Sequence, residues 1–74
     1  MNSLVLINEK KNLRTNYNLK DIDSIFYGKM KDFINVDDIV NNGYKVNESA
    51  IQIIFYDKTV ATYGKEWHIE FRTF

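Results

Sequence analysis

Residues 50–72 read AIQIIFYDKTVATYGKEWHIEFR, and the parsing of this stretch decides the fold. Ala50 to Tyr56 is rich in isoleucine and aromatic side chains, the types that fit a pleated, half-buried surface. Asp57-Lys58 reads as a tight turn and Thr59 to Tyr63 is again β-prone, so a hairpin is expected. Gly64-Lys65 supplies a second turn, after which Trp67, Ile69 and Phe71 alternate with Glu66, His68, Glu70 and Arg72 at strand period. The stretch is therefore expected to form a three-stranded antiparallel β-meander.

Leu4 to Ile7 is a short continuous apolar run between Ser3 and Asn8, which suits a strand at residues 3–8 with both faces at least partly covered. It would add a fourth strand, at an edge or beside the C-terminal strand. Glu9 to Asn18 is polar and lacks sustained periodicity, as in a loop or a hairpin extension. Asn18 and Asp21 then offer an N-cap and a first-turn carboxylate, and Leu19, Ile22, Phe26, Met30 and Phe33 recur at spacings of three and four. That stripe predicts a helix over residues 19–34, with Gly28 opposite it as a weak point. Val36 to Val40 reads as a short second helix closed by Gly43, or as an irregular turn, and Tyr44 to Val46 as extended chain.

The helix stripe would cover the sheet face carrying Ile51, Ile53, Phe55, Trp67, Ile69 and Phe71. The expected architecture is thus a single α+β domain over residues 1–74, an antiparallel sheet of three to four strands packed on one main helix. At 74 residues the chain has room for one core. Hydrophobic residues make up 45% of it, too many for a disordered segment.

Zero cysteine excludes disulfides, thiolate metal sites and cysteine nucleophiles, and suits a reducing, cytoplasmic setting. Ten basic and ten acidic side chains cancel, so no global field marks a nucleic-acid or membrane binder. Glycine stands only at 28, 43 and 64, which rules out phosphate-cradling glycine loops. The lone histidine, His68, lies between Glu66 and Glu70 on the polar phase of a strand; a solvated face of mixed charge is the simpler reading than a catalytic or metal-binding row. Asp21, Asp23, Asp32, Asp37 and Asp38 lack calcium-loop spacing, and Asp37-Asp38 suits a helix start. Neither a catalytic residue nor a metal or cofactor is expected.

Two surfaces remain. Strand alternation places Ile54 and Tyr56 on the phase opposite the core, and Tyr63 and Phe74 could extend that patch into a protein-binding or dimer surface. The competing reading is that another segment folds over it. Lys10, Lys11 and Arg14, with Tyr17 and Lys20, form a local basic and aromatic stretch that could contact phosphate and stack a base. Small domains of this style, free of cysteine and proline, are frequent among phage and mobile-element proteins, inhibitors of host defence proteins included. The expectation is a non-enzymatic, inhibitor-like module whose partner is another protein or a second copy of itself. Nucleic-acid binding through residues 10–20 is the alternative, and no membrane is involved.

Overall fold

The computed structural model describes residues 2–33, 37, 41, 43 and 45–73. Six strands are formed among them: β1 (Asn2–Asn8), β2 (Leu13–Asn18), β3 (Ile22–Lys29), β4 (Ser49–Phe55), β5 (Val60–Tyr63) and β6 (His68–Thr73). They build two antiparallel three-stranded sheets, ordered β2-β1-β6 and β3-β4-β5. No helix of seven or more residues occurs among the described residues, and the expected α+β arrangement of a sheet on a main helix is incorrect. The apolar faces of the two sheets cover each other instead.

β1 explains this partition. Leu4, Val5, Leu6 and Ile7 are all buried, at 0 to 9% exposure, as only a central strand with both faces covered allows. Such a strand needs neighbours on both edges. The hairpin through Glu9–Asn12 supplies β2, in the register Leu4↔Tyr17 and Leu6↔Thr15. β6 supplies the other neighbour, in the register Leu4↔Phe71 and Leu6↔Ile69.

The expected C-terminal meander is corrected accordingly. The hairpin of β4 and β5 forms, with Ile51↔Tyr63 and Ile53↔Ala61, but the chain then leaves that sheet. Trp67 closes the connecting turn, its N–H donating to the Gly64 carbonyl at 3.2 Å, and its ring packs edge-on against Tyr63 at 5.0 Å. Ile69 and Phe71 keep the inward phase that alternation predicts, on the sheet opposite Ile51 and Ile53. The main core joins Leu4 and Leu6 of the first sheet to Ile22, Ile51 and Ile53 of the second. On the reverse face of the first sheet, Val5 and Ile7 are buried between their cross-strand neighbours Arg14 and Asn16 of β2 and His68 and Glu70 of β6.

The segment expected as a helix over 19–34 is mostly strand. Asn18 does cap a helical start, its side-chain oxygen accepting from the Lys20 N–H at 3.1 Å, but only a single 3-10 turn follows, Leu19–Asp21. β3 then pairs with β4 through Ile25↔Ile53 and Tyr27↔Ile51, with a register shift between Ile22 and Ser24. That irregularity resets the alternation, so Ile22 and Ile25, three positions apart, both face inward while Phe26 faces out. The predicted stripe is thereby split, with Ile22 turned to the core and Phe26 to the outer face. The β3 composition of isoleucine, phenylalanine and tyrosine followed by glycine favours the extended state.

A second 3-10 turn, Met30–Asp32, ends β3, with the Lys29 N–H donating to Asp32 Oδ2 at 3.0 Å. Here a small satellite core forms, in which Met30 and Ala50 are buried beneath Phe33 and Val46. Apart from Asp37, residues of the expected second helix at 36–40 lie outside the described residues, as does Tyr44.

Ile53 is fully buried at the centre of this packing. Ile53→Ala should cost about 2–5 kcal/mol, comparable to the whole net stability of about 3–5 kcal/mol expected at this size. Phe71 has the inward phase yet is 63% exposed, and Phe71→Ala should cost under about 1 kcal/mol. Urea unfolding of the two variants checks this ordering. The same method applies to Lys58, held at φ +75° in the β4–β5 turn, where Lys58→Gly should add about 1 kcal/mol by relieving a left-handed backbone.

Candidate functional site

The β4–β5 turn divides two features that meet at one end of the second sheet. The turn is tightly specified. Thr59 donates from both its N–H, at 2.9 Å, and its hydroxyl, at 2.6 Å, to Asp57 Oδ1. The Lys58 N–H donates to the Phe55 carbonyl and the Phe55 N–H to the Thr59 carbonyl, both at 3.0 Å. The two hydrogen bonds from Thr59, led by that of its hydroxyl, hold the Asp57 carboxyl below its usual range, so it is ionised at neutral pH.

On one side of the turn lies the outer face of the second sheet. Its rungs there are Ser24–Ile54–Val60 and Phe26–Gln52–Thr62. Phe26 is 48% and Val60 53% exposed, with Ile54 half-buried between the strands that bear them. Farther along the same face the Gly28–Ala50 rung is covered by the chain itself. A Cβ added at Gly28 would meet the Phe33 ring at 3.0 Å, which shows how closely that ring lies on the sheet. The outer face is therefore closed at one end and open at the end next to the turn.

On the other side is a cleft of about 490 Å³ between the end of β2, the 3-10 turn and the β4–β5 turn. Tyr17, Phe55 and Tyr56 line it together with Asn18, Lys20, Asp21, Asp57 and Thr59. Its inner wall is fixed: the Tyr17 and Phe55 rings pack at 5.1 Å with a 52° tilt, and the Tyr17 and Tyr63 hydroxyls are hydrogen-bonded to each other. The Tyr56 N–H donates to the Asp21 carbonyl at 3.0 Å, tying the two turns together. The Tyr56 ring is 64% exposed at the mouth.

Of the residues expected to bind a protein, Ile54 lies on the open outer face and Tyr56 at the mouth of the cleft, on either side of the turn. Tyr63 takes the inward phase, behind Tyr17 and against Trp67, and Phe74 lies outside the described residues. Phe26 and Val60 were not anticipated as partners of Ile54. Val60 follows from counting back through the hairpin, whereas Phe26 required the register of β3.

The residues of the nucleic-acid alternative do not share one surface. Lys10 and Lys11 sit in the β1–β2 turn, while strand alternation sends Arg14 to the outer face of its sheet and Tyr17 to the inner one. Around the histidine, His68 Nε2 is 4.0 Å from Glu70 Oε1, and Glu70 Oε2 is bound by Arg72 at 2.7 Å. The Arg72 guanidinium keeps the Glu70 carboxyl below its usual range. Glu66 precedes the strand and lies against Gly64, so it does not complete a row with His68 and Glu70. Among the described residues no three of His, Asp and Glu gather where they could hold a metal ion, and no helix is long and apolar enough to cross a membrane. Comparison with protein-family models, curated proteins and solved structures finds no match.

Burial, reinforced by the bond to Tyr17, pushes the Tyr63 phenol well above the ordinary tyrosine value near 10. The folded state therefore keeps this proton where the unfolded chain releases it. Its effect on stability is absent below pH 10 and becomes a progressive loss as pH rises above 10. Denaturant unfolding at pH 9 and pH 11 should show a smaller drop for Tyr63→Phe than for the native protein. An identical drop would sink the linkage.

Proposed function

We propose that the protein is a non-enzymatic binding module that holds another protein through the surface around its β4–β5 turn. The observation behind this is the open end of the second sheet's outer face. There Phe26, Ile54 and Val60 stand exposed or half-exposed on adjacent rungs of a paired sheet, while the chain's own Phe33 covers the other end. A sheet presents such side chains with little loss of conformational freedom on binding, and apolar or aromatic anchors in a patch of this kind typically dominate interface energy. Tyr56, across the turn, extends the surface with an aromatic anchor that also offers a hydroxyl.

Stoichiometric occupation of a partner's surface is the mode of action that this small scaffold suits, as in an inhibitor that blocks a larger protein. We place the interaction in the cytoplasm, where a cysteine-free chain loses nothing in a reducing medium. The placement of Arg14 and Tyr17 on opposite faces of their sheet favours this reading over a nucleic-acid role through residues 10–20.

Affinity capture from the native host, followed by native mass spectrometry, should return a defined complex with a protein partner. The double variant Ile54→Asp with Tyr56→Ala should weaken it by at least about 30-fold, as expected when central anchors are lost, with the fold retained. Lys10→Ala with Lys11→Ala should leave it intact. Survival of the complex in the first variant, or its loss in the second, would falsify the assignment.

A further inference from the structure

The cleft beside the turn has a chemistry of its own. Tyr17, Phe55 and Tyr56 bring three rings to one opening, and Asp21 and Asp57 bring two carboxylates, against the single cation Lys20. Among the described residues neither carboxylate has a salt-bridge partner. The Asn18 Oδ1 accepts from the Lys20 N–H and the Thr59 hydroxyl donates to Asp57, so the neutral donor that the lining keeps at this end is the Asn18 amide. With two acidic residues against one ammonium, the charge balance of the lining favours a cation.

Aromatic faces attract cations through their ring quadrupole. Guanidinium exploits this best, because it is planar, weakly hydrated and able to stack on a ring while its N–H groups donate to a carboxylate. An anion would meet Asp21 and Asp57, and a neutral apolar group would leave their charge unanswered. The size also fits: about 490 Å³ lies in the ordinary range for ligand pockets and admits a guanidinium together with part of its alkyl stem. The site is pre-formed, since Tyr17 is fixed by Phe55 and Tyr63 and the Tyr56 amide is tied to Asp21.

We propose that this cleft binds the guanidinium of an arginine side chain presented by a polypeptide, its plane against the aromatic lining and its donors toward Asp21 and Asp57. Lys20 lowers the affinity and so sets its limit. This assignment concerns the cleft alone and stands whether or not the Ile54 face holds a partner.

The test is a nitrogen–proton NMR titration of the native protein with N-acetyl-arginine methylamide. Saturable shifts are expected at the amides of Asp21, Tyr56, Asp57 and Thr59, with a dissociation constant on the order of 1 mM. The neutral isostere N-acetyl-citrulline methylamide should bind at least about tenfold more weakly. Tyr56→Ala should weaken arginine binding about two- to fivefold while Tyr56→Phe preserves it, and Lys20→Ala should tighten it. Absence of saturable shifts, equal binding of the citrulline probe, or weaker binding in Lys20→Ala would each overturn the cation site. Tighter binding of propylguanidine, which carries the same single charge without the peptide groups, than of the blocked arginine would overturn its assignment to a polypeptide.

Discussion

Burial of Leu4, Val5, Leu6 and Ile7 on both faces of β1 is the constraint from which the rest of the architecture follows. A strand with no solvent face cannot lie at an edge, because its backbone groups would be left unpaired in an apolar setting. It must recruit two neighbours and two covering layers. The hairpin gives it β2, which follows directly in sequence. β6 is drawn away from the hairpin that precedes it, and the second sheet becomes the cover for Leu4 and Leu6. On the reverse face Val5 and Ile7 are buried among the polar cross-strand neighbours Arg14, Asn16, His68 and Glu70, with no second sheet of the described residues over them.

Much of this was legible in the sequence, and the failures have physical causes. The first strand, the β4–β5 hairpin and the alternation of β6 follow from patterns of period two, which local chain geometry enforces. Which strand sits beside which is a long-range matter, so His68–Thr73 was read as a third strand next to β5 although it pairs with β1. The helix over 19–34 was a period error. The stripe of Leu19, Ile22, Phe26, Met30 and Phe33 has helical spacing but no common side in the fold: Ile22 faces the main core, Phe26 the outer face of its sheet, and Met30 and Phe33 a separate satellite core. The Asn18 cap was read correctly and decides only one turn, because the β-prone residues that follow outweigh it.

Legibility of the binding surface divides along the same line. Ile54 is found by strand phase and Tyr56 by its position next to Asp57-Lys58. Their neighbours Phe26 and Val60, and the company of Tyr56 with Tyr17, Phe55 and Asp21, depend on register and on where the chain changes sheets. Tyr17 shows how a residue changes meaning with its placement. In sequence it stands among cations as a candidate for stacking a base. In the fold its ring and hydroxyl are committed to Phe55 and Tyr63, and its contribution is to hold one wall of the cleft in place.

The pairing of β1 with β6, in which Asn2 lies opposite Thr73, also governs how such a chain can acquire its structure. Nearly the whole described length must be gathered before that ladder can close, so the loop-closure entropy is met early and rewarded late. Until then Leu4 to Ile7 stays an apolar segment with one open edge, the kind of surface that attracts other nascent chains. The molecule is thus expected to fold slowly for its size and as a single cooperative unit. Its first strand is completed only by its last.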